Sequence, residues 1–150
     1  MKRLTLGFTF ILLSIFSCQK DEVSSLPEEE QIENYISANN IVVTEKTSSG
    51  LRFIRTKEST GLAVKTGQTI NLNYTGKLLS GKKFDSGNFN FVLGAGRVIK
   101  GFDEGVAKMK VGEKATLIFP SSIGYGYAGS GKDIPPYAPL LFEVEVVSAK

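Results

Sequence analysis

No histidine occurs anywhere in this chain of 150 residues. That absence excludes the mechanisms that need an imidazole base or ligand: serine and cysteine triads, zinc hydrolases and histidine phosphotransfer. Cysteine is nearly missing as well. Cys18 stands alone, so no internal disulfide can form and stability has to come from packing. Charge of one sign is also scarce, with a net +3 that falls to +1 if residues 1–17 are removed and take Lys2 and Arg3 with them. Such a balance lacks the clustered basic surface through which a nucleic-acid binder releases counterions. What the chain does have is apolar material. At 41% hydrophobic and 22% charged residues it can bury a core, and its length suits one compact domain plus a tail.

The longest apolar run is short and lies at the start. Met1-Lys2-Arg3 is a cationic opening, and Leu4 to Phe16 is broken only by Thr5, Gly7, Thr9 and Ser14. A spanning helix needs about 20 apolar residues, so the run reads as a secretory leader over residues 1–17. Ile15-Phe16-Ser17-Cys18 resembles the bacterial lipobox, in which the cysteine is lipidated and becomes the first mature residue; Phe16 is larger than the residue usual there. Several acyl chains on Cys18 would hold the protein at a membrane at about 0.8 kcal/mol per buried methylene. Gln19-Lys20-Asp21-Glu22 resembles the short charged signal that sends some lipoproteins to the outer surface of the outer membrane. The expected location is therefore the bacterial cell envelope, lipid-anchored, with periplasmic and surface faces both open.

Residues 18–26 read as a polar tether and 27–50 as a short helix with a linker. Ser25-Leu26-Pro27-Glu28 has the form of a capping box, and Glu28, Glu29 and Glu30 suit the positive end of a helix. Ile32, Tyr35 and Ile36 follow at helical spacing to about Asn39 or Asn40. Residues 51–150 form the main domain. Leu51–Arg55, Ile70–Tyr74, Ala115–Phe119 and Leu140–Val146 read as strands, with Ser80-Gly81 as a hairpin turn. Fourteen of the sixteen glycines lie between Gly61 and Gly131, which implies many tight turns. One helix is expected over Asp103–Met109, ended near Gly112. The fold class is α+β: a twisted antiparallel sheet of about five to six strands wrapped on one short helix, with the N-terminal helix appended.

Three motifs fail on inspection. Gly126-x4-Gly131-Lys132 has nearly the spacing of a phosphate-binding loop, but Asp133 stands where a Ser or Thr must hold the metal, and Ile134-Pro135-Pro136 follows where a helix must begin. Gly94-Ala95-Gly96 has Ile99 in place of a third glycine. Asp103-Glu104 reads as dipole compensation in a helix's first turn. No metal cluster emerges, and nothing calls for a cofactor.

The remaining motifs occur in one order. Asn73-Tyr74-Thr75-Gly76, Gly81-Lys82-Lys83-Phe84-Asp85-Ser86, Gly96-Arg97-Val98-Ile99-Lys100-Gly101-Phe102-Asp103-Glu104-Gly105, Met109-Lys110-Val111-Gly112-Glu113-Lys114, Tyr125-Gly126, Ile134-Pro135-Pro136 and Leu141-Phe142-Glu143-Val144-Glu145 resemble the FK506-binding proteins over residues 66–148. The resemblance implies a peptidyl-prolyl cis–trans isomerase. The amide's partial double bond sets a barrier of about 18–20 kcal/mol. Twisting it moves charge off the carbonyl oxygen, so a pocket that strips water from the planar amide favours the twisted state. No acid, base or nucleophile is needed, which a chain without histidine permits.

The resemblance also implies the site. The proline ring would sit among Tyr74, Phe84, Phe89, Val98, Ile99, Phe102 and Phe142, with Phe102 as the floor. The Ile99 N–H and the Tyr125 hydroxyl are the expected donors to substrate carbonyls, Ile134 closes a wall, and Asp85 is expected to hydrogen-bond with Tyr74. Tyr127 and Tyr137 read as exposed loop aromatics. Partners are proline-containing polypeptides, FK506-like macrocycles and the membrane that holds the anchor, and the protein is expected to be monomeric. Two departures stand out. Phe102 occupies a floor position that usually holds tryptophan. The stretch from Phe84 to Phe91 is shorter than the family's, which leaves open whether Phe89 or Phe91 faces the pocket. The polar, glycine-rich Ala128–Asp133 reads as a mobile lip. The alternative to an active enzyme is a binding module or chaperone that has lost turnover through the shortened stretch.

Overall fold

The computed structural model describes residues 26–150. The leader, Cys18, nearly all of the tether and the Ser25 cap fall outside the described residues. Ten elements follow in order: α1 (Glu28–Ala38), β1 (Glu45–Lys46), β2 (Arg52–Lys57), β3 (Thr69–Leu78), β4 (Lys83–Val92), α2 (Lys100–Val106), β5 (Lys114–Phe119), 3-10 turns at Ser121–Ile123 and Gly126–Ala128, and β6 (Leu140–Ala149). Six antiparallel strands form one sheet in the order β1-β2-β5-β6-β3-β4.

Period-two alternation decides what each face of this sheet buries. On one face Phe53, Leu72, Leu117, Phe119, Leu140, Phe142, Val144 and Val146 join the main core with Phe102 and Val106 of α2. On the other face Ile54, Ile118 and Leu141 make a smaller cluster with Ile32 and Ile36 of α1. The i, i+4 pair Ile32 and Ile36 is buried, at 0% and 9% exposure, and burying each such side chain contributes about 1.5–3 kcal/mol. α1 is therefore a cover on the back of the sheet. Pro27 takes the N-cap position without a side-chain cap bond, and Asn39 and Asn40 (φ 51°) end the helix.

Two local expectations are corrected. α2 starts at Lys100, three residues before Asp103, because Ile99 adopts the extended N-cap geometry (φ −61°, ψ 146°). It also ends at Val106, so Gly112 is not its cap. Gly112, at φ +83°, instead makes the turn into β5, and its N–H donates to the Val146 carbonyl at 2.7 Å. Asp103 and Glu104 do more than face the helix dipole: Asp103 accepts the Gly94 N–H at 3.0 Å and Glu104 accepts the Ser49 hydroxyl at 2.7 Å. The phosphate-loop look-alike is a 3-10 turn followed by a Ser130–Ile134 bridge, with no helix after it.

β4 is an edge strand, bonded only to β3. Its pairing runs without interruption from Asp85 opposite Gly76 to Val92 opposite Thr69, and the one irregularity lies at Phe84. The outward side chains Asn88 and Asn90 interlock with Asn71 and Asn73 of β3 at 2.9–3.2 Å.

Candidate active site

Close backbone approach builds the site floor. A Cβ at Gly101 would lie 2.6 Å from the Phe119 ring, and one at Gly105 would lie 2.4 Å from Leu117. Only glycine lets α2 rest directly on β5, and that contact drives Phe102 into the concavity at 3% exposure. Gly76 acts alike on β3, since a Cβ there would lie 2.4 Å from Phe84 and 2.9 Å from Phe142.

Above this floor the rings meet edge to face: Phe102 with Phe142 at 5.1 Å and 75°, Tyr74 with Phe89 at 5.2 Å and 77°, Phe84 with Phe142 at 5.5 Å and 79°. Phe119 stacks on Phe142 at 5.8 Å and 9°. Rings held perpendicular support one another without collapsing flat, and they leave an open cavity of about 640 Å³. All ten residues expected at the site line it: Tyr74, Phe84, Asp85, Phe89, Val98, Ile99, Phe102, Tyr125, Ile134 and Phe142. The ambiguity over β4 resolves in favour of Phe89. Phe91 lies beneath, 6% exposed, stacked on Phe89 at 5.4 Å and packed toward Phe102. Gly96, Arg97, Ser130, Gly131 and Asp133 also line the cavity. The last three belong to the segment Ala128–Asp133 expected as a lip over the site, whereas Gly96 and Arg97, which open the motif that ends at Gly105, were given no place at the site.

The polar groups gather on one rim. The Tyr74 hydroxyl donates to Asp85 Oδ2 at 2.6 Å, and Asp85 Oδ1 accepts the Ser86 N–H at 2.8 Å. The bond to Asp85, then burial, pushes the Tyr74 hydroxyl up to about 12. Burial, then the Asp85 charge, also raises Tyr125. Both tyrosines thus hold their protons as donors. Among the described residues nothing accepts from the Tyr125 hydroxyl or the Ile99 N–H, whereas the Ile99 carbonyl accepts from Phe102 and Asp103. Tyr127 and Tyr137 are exposed, at 76% and 58%.

An apolar, ring-lined cup whose rim leaves two hydrogen-bond donors unengaged defines a class: a site for an apolar group flanked by carbonyl oxygens. Comparison with known proteins makes the class particular. The FKBP-type peptidyl-prolyl cis-trans isomerase family matches residues 61–147. The chain is 46% identical over 106 residues to FK506-binding protein 1 of Dictyostelium discoideum, covering 67% of this chain and 99% of that one. It is 47% identical over 96 residues to an FK506-binding protein of Neisseria meningitidis serogroup C, covering 61% and 88%. Among solved structures it resembles FkpA from Escherichia coli (TM-score 0.72, 32% identity, 82% of this chain and 59% of that one). It resembles AtFKBP13 as well (TM-score 0.66, 36% identity, 70% and 97%). This chain belongs to the FKBP-type peptidyl-prolyl cis-trans isomerases.

Proposed function

We propose that the cavity catalyses rotation about the bond preceding proline in exported polypeptides, at a bacterial envelope to which Cys18 anchors the protein through lipid. The observation that carries this reading is the pairing of aromatic walls with two unengaged donors, the Ile99 N–H and the Tyr125 hydroxyl. The proline ring enters between Tyr74, Phe84, Phe89 and Phe142 and rests on Phe102, with Val98 and Ile134 at the sides. Walls of this kind withdraw water from the scissor-like amide as it turns. The planar form is the more polar and loses more solvation, so the twisted form gains relative to it. Every 1.4 kcal/mol or so removed from the barrier is about tenfold in rate. The Ile99 N–H and Tyr125 hydroxyl grip flanking carbonyls and fix one end of the peptide while the other rotates. Tyr74 and Asp85 hold each other at the rim. The same cup suits a macrocycle of the FK506 kind, and the chain works as a monomer.

The alternative, a binding module that keeps the fold but has lost turnover, predicts that proline peptides bind without faster exchange, and one assay separates the two. The test follows relaxation of a short X-Pro peptide from cis to trans with and without the full chain. Acceleration is expected, and none at micromolar protein overturns the proposal. Mass spectrometry of protein extracted from membranes tests the anchor, where the expected result is an acylated Cys18 at the mature N-terminus.

A further inference from the structure

The acidic first turn of α1 does something the helix dipole does not require. Glu28 reaches a residue 93 positions away: Oε2 accepts the Ser121 N–H at 2.5 Å and Oε1 accepts the Ser121 hydroxyl at 2.7 Å. Ser121 is buried, at 3% exposure, so this one carboxylate satisfies both of its donors where water does not reach. A second path runs in parallel. Glu29 and Glu33 hold Arg52, with the Glu33 contact at 2.6 Å, and Arg52 donates to the Gly50 carbonyl at 2.6 Å. Gly50 in turn lies against Pro120, whose ring a Cβ at position 50 would meet at 3.1 Å. Both paths end on Pro120-Ser121. On one side of that pair is Phe119, stacked on Phe142 of the cup; on the other is the 3-10 turn Ser121–Ile123, which leads through Gly124 to Tyr125. Gly124 donates to the Ser121 carbonyl at 2.8 Å, so the start of the turn sets its exit.

We propose that Glu28 is a positioning residue for the isomerase site: through Ser121 it fixes the 120–125 turn and so the placement of the Tyr125 hydroxyl, which makes turnover depend on the docking of α1. The proposal rests on the isomerase reading above. It assigns a role to a segment that lies outside the family match at residues 61–147. Glu30, the third acid of the same turn, has no such partner among the described residues, and it serves as the internal control.

The experiment measures X-Pro exchange by NMR on the full chain, well below its melting temperature so that the folded population is constant. Glu28→Ala is expected to lower kcat/KM about tenfold, as small misplacements of a binding group do, and to move the backbone resonances of residues 121–128. Glu28→Gln, which keeps one acceptor, is expected to recover activity to within about threefold of the unaltered chain. Glu30→Ala should leave both readouts alone. Should Glu28→Ala fail to fold, Ser121→Ala removes one of the two bonds and is expected to cost about two- to threefold. Folded variants of Glu28 and Ser121 with unaltered kcat/KM and unmoved Tyr125 resonances overturn the proposal and leave the isomerase reading intact. If instead the unaltered chain does not catalyse, that reading falls and the Tyr125 resonances alone decide whether Glu28 positions the turn.

Discussion

The two faces of the sheet use different materials. Toward α2 the lining is aromatic, with Tyr74, Phe84, Phe89, Phe102 and Phe142 held edge to face around open space and with donors left over. Toward α1 the lining is aliphatic, Ile32, Ile36, Ile54, Ile118 and Leu141 close the gap, and the buried Arg52 is held by two glutamates. Flexible branched chains fill a space completely, whereas rigid rings propped against one another can keep a hollow. One layer of strands thus separates a surface built for stability from a surface that reserves its bonding capacity for a guest.

The comparison breaks most visibly at the cup floor. Phe102→Ala is expected to cost about 3–5 kcal/mol and to abolish measurable isomerisation, read by denaturant melts and the peptide assay together. Gly76→Ala adds a methyl group where the Phe84 and Phe142 rings already stand. Overpacking of this kind costs about 1–3 kcal/mol, and the displaced ring should occupy the cup, so activity should fall further than stability. Ile118→Val on the opposite face is expected to cost about 0.5–1.5 kcal/mol with kcat/KM unchanged; a matching loss of activity would erase the distinction between the faces.

Two finer substitutions sharpen it. Tyr74 is raised from its ordinary 10 to about 12 in the folded protein. Its contribution to stability is therefore fully present below pH 10 and is lost as pH rises from 10 toward 12. Tyr74→Phe should remove that alkaline slope from the melting curve, and an unchanged slope would assign the loss to another group. Tyr125→Phe, by contrast, should leave melting near neutral pH untouched, because nothing in the described residues accepts from its hydroxyl, while lowering kcat/KM about three- to tenfold.

Most of the front face was legible through the resemblance that its ordered motifs carry to the family; strand alternation and the glycines alone placed the strands and turns but named none of the cup residues. The back face was legible only in part. Ile32 and Ile36 announce an apolar stripe, but no local pattern says that Glu28 reaches Ser121, since that contact depends on where β5 delivers the chain 93 residues later. The start of α2 was misplaced because Asp103 looks like an N-terminal acid, while the residue that caps by backbone shape, Ile99, has no capping side chain to advertise it. The choice between Phe89 and Phe91 required the β3–β4 register, which a shortened strand with one irregularity at Phe84 does not disclose by alternation alone.

β4 contributes Phe84 and Phe89 to the cup yet has a neighbour along one side only. A wall bonded on one side opens at lower free energy than strands bonded on both, so the width of the hollow is set by its least constrained member. Guests of different bulk are therefore expected to displace this rim before the floor or the opposite wall, which amide exchange along Lys83–Val92 with and without a bound peptide would read.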